Sequence, residues 1–132
     1  MSSNIDKSRI EVLIARSADL TNKPFIHSVV KLGGENIILD KELDFTAHVI
    51  CRDKDGLRIE KFDLELEIFD SNSSLVIVIA RLNFPNDPIL WYGNKILWMN
   101  SKTGDKCNPP AYSSNLENLA IRIKTFFDNK YL

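Results

Sequence analysis

Apolar side chains along this chain recur chiefly at every second position, the period of a β-strand with one covered face. From Leu43 to Arg52, Leu43, Phe45, Ala47, Val49 and Cys51 share one side, while Asp44, Thr46, His48 and Arg52 share the other. Asp53-Lys54-Asp55-Gly56 then reads as a hairpin turn, with its glycine at the left-handed position. The return strand runs from Leu57 to Phe69, with Phe62, Leu64, Leu66 and Ile68 inward and Asp63, Glu65 and Glu67 outward. Leu57 and Ile59 fall in the opposite phase, which predicts a bulge near Glu60-Lys61. After a turn at Ser71-Asn72-Ser73-Ser74, the run from Leu75 to Ala80 is apolar on both sides and belongs mid-sheet, covered on both faces. Upstream, Phe25 to Leu32 predicts a strand closed by a turn at Gly33-Gly34, and Ile37-Ile38-Leu39 a short piece that pairs locally.

The segment from Pro88 to Met99 carries both tryptophans and predicts a hairpin that is apolar on both faces. Gly93-Asn94 reads as a two-residue type II′ turn, the glycine supplying the positive φ of its first position. That turn pairs Tyr92 with Lys95, Trp91 with Ile96, Leu90 with Leu97 and Ile89 with Trp98. Ile89, Trp91, Ile96 and Trp98 then share one face, and Leu90, Tyr92, Lys95, Leu97 and Met99 the other.

The two ends of the chain differ in clarity. Leu116, Leu119, Ala120, Ile123, Phe126 and Phe127 recur at helical spacing behind Ser114 and Glu117, a capping-box pair. At the other end, Ser3-Asn4-Ile5-Asp6 also reads as a capping box, opening a helix with Ile5, Val12 and Leu13 on one side. The stretch from Arg9 to Ala15 reads equally as a β-branched strand, and the shortness of its apolar run favours the strand. The expectation is one α+β domain over residues 1–132. It is a mainly antiparallel, meander-like sheet of roughly five to seven strands with a C-terminal amphipathic helix packed on it.

Composition narrows the function classes. Seventeen basic against eighteen acidic residues leave a formal charge of −1, and no basic stripe alternates with aromatics. Neither nucleic acid nor an anionic membrane surface is an expected partner of such a chain. With no apolar run of membrane-spanning length, no signal-peptide pattern and only Cys51 and Cys107, the expected location is the cytoplasm. His27 and His48 have no companion at metal-ligand spacing, and no glycine pattern cradles phosphate, so neither metal nor cofactor is expected. Asp63, Glu65 and Glu67, with Asp53 and Asp55 before them, read as a solvated acidic strand face.

The tryptophan hairpin carries the functional reading. Aromatic residues lead the composition of interaction hot spots. The expectation is a non-enzymatic module that binds a protein partner, or a second copy of itself, through Trp91, Trp98, Ile89, Ile96 and Tyr92. The acidic strand face would set specificity by charge. One alternative is a small apolar ligand held inside a curled sheet, with Tyr92, His48 or Arg81 as its polar contact. The other makes Cys107 a nucleophile, since it sits beside Lys106 in the irregular loop 101–112. The order of a sheet meander, Leu82-Asn83-Phe84-Pro85-Asn86-Asp87-Pro88, Asn100 seven residues before Cys107, and then a helix resembles the ubiquitin-conjugating E2 family. Trp98 and Met99 stand where that family has His-Pro. The resemblance implies a thioester on Cys107, with Asn100 supporting the oxyanion.

Overall fold

Six strands follow one another in sequence and in space, and a helix from each end of the chain packs on one face of the sheet they make. The computed structural model describes residues 7–36, 43–71 and 74–130. In chain order the elements are α1 (Lys7–Thr21), β1 (Ile26–Asn36), β2 (Asp44–Arg52), β3 (Leu64–Ser71), β4 (Ser74–Arg81), β5 (Ile89–Tyr92), β6 (Ile96–Met99) and α2 (Ser113–Lys130). Every neighbouring pair of strands is antiparallel. The α+β meander with its C-terminal helix is the architecture expected from the alternation.

The N-terminal segment is a helix, not the strand that its apolar run favours. Ile10, Ile14 and Ala18, at i, i+4 and i+8, are buried together, and Ser17 is buried beside them. Val12 and Leu20 point outward and stay about half exposed, at 48% and 52%. These outward residues blur the stripe in the sequence, and docking on β1 and α2 decides the outcome. The capping box at residues 3–6 and the short piece at 37–39 lie outside the described residues.

β1 runs through the glycines that predicted a turn: Gly33 pairs with Thr46 and Gly34 with Phe45. Two bulges, between Val29 and Lys31 and between Gly34 and Asn36, bend it instead. The turn at Asp53–Gly56 forms as expected, with Gly56 at φ +89° and Asp53 Oδ1 accepting from the Asp55 and Leu57 N–H groups. The irregularity expected near Glu60-Lys61 is a single 3₁₀ turn, Glu60–Phe62. It ends the pleat, so regular alternation restarts only at Leu64. Phe62 is half-buried, its ring edge-on to Phe25 at 5.1 Å.

The core lies between the sheet and the two helices. Phe45, Ala47, Val49, Leu66, Ile68, Ile77, Ile79 and Leu90 meet Ile10 and Ile14 from α1 and Leu119, Ile123 and Phe127 from α2. Each large side chain removed from water here is worth about 1.5–3 kcal/mol. The double-sided apolar character of β4 predicted cover on both faces, and here the structure differs. Among the described residues neither helix packs on the second face. There Val76 is buried by its sheet neighbours, while Val78 and Ala80 are partly exposed.

Candidate interaction surface

The tryptophan hairpin forms, in a register one residue away from the expected one. Tyr92 pairs with Ile96, Trp91 with Leu97, Leu90 with Trp98 and Ile89 with Met99. The loop therefore holds three residues, 93–95, and Gly93 is not among the positive-φ glycines, which are Gly56 and Gly104. Because side chains alternate, a one-residue slip moves a whole strand to the other face. Trp91 and Trp98 consequently lie on opposite faces of the sheet, and the predicted cluster of Ile89, Trp91, Ile96 and Trp98 is split. Ile89 and Trp91 face outward, whereas Ile96, Trp98 and Tyr92 belong to the helix-covered side.

Side chains distant in sequence fix this register. Trp98 is 4% exposed, donates its indole N–H to Glu117 Oε2 at 2.7 Å and meets Tyr112 edge-on at 6.3 Å. Glu117 is thus turned to the tryptophan rather than to a capping box, and α2 begins one residue earlier, at Ser113. Lys124 donates to the carbonyls of Gly93 at 2.7 Å and Leu75 at 3.0 Å, with its ammonium 5.0 Å from the Tyr92 ring centre. One α2 lysine therefore clamps the buried loop glycine to the start of β4.

The face away from the helices divides into two halves. On β1 to β3 it carries Lys31, His48, Thr46, Glu65 and Glu67, with His48 Nε2 2.8 Å from Glu65 Oε2. On β4 to β6 it carries Val76, Val78, Ala80, Ile89, Trp91, Leu97 and Met99, with Phe69 beside them on β3. One row crosses both halves in register: Thr46, Glu67, Val78, Trp91, Leu97. Trp91 lies edge-on to Phe69 at 5.8 Å, and among the described residues its indole N–H has no acceptor. Glu67 has no ion-pair partner among the described residues either.

Residues 11–126 match the family model described as Domain of unknown function (DUF8659). The chain belongs to that family. No curated protein and no solved structure matches it.

In this DUF8659 chain both ends of the sheet are blunted. β1 is kinked by its two bulges and carries Lys31, while the chain folds back along β6. There Cys107 N–H donates to Trp98 O at 2.8 Å, and Met99 bridges Lys106. Such edges are poor templates for an added strand. The fold-back turns at Gly104, φ +76°, and Asn100 closes it, its Oδ1 accepting from the Lys102 and Thr103 N–H groups. Asn100 and Cys107 thus flank one loop, with the amide oxygen committed to that loop and Cys107 half-buried against the core. Among the described residues no cluster of three His, Cys, Asp or Glu side chains is placed to hold a metal. No described helix is long and apolar enough to cross a membrane.

Two of the buried polar groups are Asp63 and His27. Asp63, expected outward with Glu65 and Glu67, is fully buried. Its carboxylate accepts from Cys51 N–H at 2.9 Å, from Arg58 Nη2 at 2.6 Å and Nε at 3.1 Å, and from Asn83 Nδ2 at 3.3 Å. His27 is 6% exposed, and Asp19 Oδ1 accepts from both its backbone N–H at 2.7 Å and its Nδ1 at 2.9 Å. Burial, and then the nearby Asp63, Asp19 and Asp53, push the Cys51 thiol from 9.0 up to about 11. Iodoacetamide at pH 8 is therefore expected to label Cys107 in the native protein and to spare Cys51 until urea is added, read by peptide mass spectrometry. Because the unfolded thiol ionises before the folded one, Cys51 is also expected to erode stability as pH rises from 9 to 11.

Proposed function

We propose that this domain binds a protein partner through the apolar half of its uncovered sheet face, centred on Trp91. The observation that carries this reading is the contrast between the two tryptophans. Trp98 is sealed in the core with its N–H satisfied, whereas Trp91 stands half-exposed with a free N–H among Phe69, Val78 and Leu97. Tryptophan loses little conformational entropy on binding and offers a large contact area with one polar handle. The neighbouring Glu67 calls for a partner that sets a lysine or arginine beside its apolar side chains, a charge match that speeds encounter more than it adds affinity. Ile89, Leu97 and Met99 complete the contact surface, and Ile96, Trp98 and Tyr92 support it from behind.

Paired affinity capture with wild-type and Trp91→Ala baits tests this. A partner held by the wild type and weakened at least about tenfold by Trp91→Ala, with unchanged far-UV circular dichroism, is the expected result. Glu67→Lys is expected to lower the association rate about tenfold at low salt and less at high salt. If every captured protein binds both baits equally, the surface is not the contact. Should the only species lost be a dimer of this chain in sedimentation velocity, the occupant is a second copy.

A further inference from the structure

On the other side of the sheet, a pocket of about 80 Å³ opens where the end of α1, the 3₁₀ turn, the end of β4 and the first turn of α2 converge. Its floor is apolar, formed by Ala18, Leu64, Leu116 and Leu119, and its rim carries Lys61, Arg81, Tyr112 and Asn115. His27 also lines it. The His27 side chain is 2% exposed, Asp19 holds its Nδ1, and among the described residues Nε2 has no hydrogen-bond partner. A ring nitrogen with no protein partner on the wall of a cavity is a place where a ligand atom can bind.

The surrounding charge says what kind of atom. The Arg81 guanidinium lies over both Phe84 and Tyr112, 4.1 Å and 4.7 Å from their ring centres. Nη1 reaches Asp87 at 2.7 Å, while Nε and Nη2 reach the Lys61 carbonyl at 3.3 and 2.8 Å. Three of its five N–H groups are thereby engaged. Tyr112 donates to the same Asp87 oxygen at 3.3 Å, and burial above all pushes its phenol pKa up, keeping it a donor. The first turn of α2 contains no acidic residue to offset the positive end of its dipole. Lys61, an Arg81 guanidinium shared with Asp87, a helix N-terminus and an imidazole nitrogen, set over an apolar floor, suit a group that pairs a negative oxygen with a few carbons.

We infer that this pocket binds a short-chain monocarboxylate, its carboxyl between His27 Nε2 and the Lys61–Arg81 rim and its alkyl end against Leu64, Leu116 and Leu119. At about 10–15 Å³ of cavity space per water, the pocket holds roughly five to eight waters, which suits an acid of a few carbons. Asp19 fixes the ring by accepting from Nδ1–H, which leaves Nε2 an acceptor, so binding takes up one proton from solvent that Nε2 and the carboxyl oxygen share. This site is independent of the sheet-face reading, since the two lie on opposite sides of the sheet.

Titrating the intact protein with propionate, and separately with propionamide, decides the matter, read by the His27 ring nitrogens in long-range ¹H–¹⁵N spectra. Propionate is expected to shift Nε2 saturably, with a Kd of about 1 mM, and propionamide to bind at least about tenfold more weakly. Lys61→Gln, at an exposed position, is expected to weaken propionate binding about three- to tenfold with the fold intact. No saturable shift at about 50 mM propionate overturns the inference. Propionamide binding as tightly as propionate, or Lys61→Gln leaving affinity unchanged, overturns the carboxylate assignment.

Discussion

Trp98→Ala is expected to lower stability by about 4 kcal/mol, whereas Trp91→Ala should cost about 1 kcal/mol. The two residues are seven apart in sequence and identical in type, so the difference comes only from the face each occupies. Truncating Trp98 opens a cavity beneath Leu90 and leaves Glu117 and the ring of Tyr112 without their partner. Trp98→Phe keeps most of the volume and loses the indole hydrogen bond, so about 1–2 kcal/mol is expected. Chemical denaturation followed by circular dichroism measures all three. For a domain of this size the alanine variant should melt on the order of 10–20 °C lower. Equal losses at Trp91 and Trp98 would mean that both faces of the hairpin are core.

Asp63→Ala is expected to destabilise by about 3 kcal/mol, and Glu65→Ala, two residues on, by no more than about 0.5 kcal/mol. Asp63 joins three parts of the chain: the end of β2 through Cys51, the hairpin 52–58 through Arg58, and the exit of β4 through Asn83. Removing the carboxylate strands a buried Cys51 N–H, a loss that water cannot make good. Among the described residues Glu65 pairs with His48 alone, on a solvated surface where such pairs contribute little. A cycle combining Asp63→Asn with Arg58→Met isolates the pair, and a coupling near zero would leave the Cys51 bond as the working part.

Both expectations trace what was legible in the chain. Period-two alternation located β2, β3 and β4, and the Leu116–Phe127 stripe located α2, because those patterns are set by one covered face. The register of β5 on β6 was not legible, since it turns on whether the loop holds two residues or three. Lys124, reaching back 31 positions to the Gly93 carbonyl, belongs to that choice, and no local signal announces it. Asp63 has the parity of Glu65 and Glu67, but the 3₁₀ turn before it breaks the pleat on which parity depends. α1 was blurred by Val12 and Leu20, outward residues as apolar as the buried Ile10 and Ile14. Nothing near His27 in sequence signals its pocket, because that pocket is assembled from four separate elements.

The blunted ends of the sheet have a consequence for how molecules of this kind crowd together. An unpaired strand edge beside a bare apolar face invites copies to pair strand on strand into growing ribbons. Here β1 changes register twice within its 11 residues, and the return of residues 105–107 already occupies the outer rim of β6. Under the proposed reading, a visitor to Trp91 would therefore arrive broadside and be recognised by its side chains, and the domain would keep one apolar surface without seeding its own fibre.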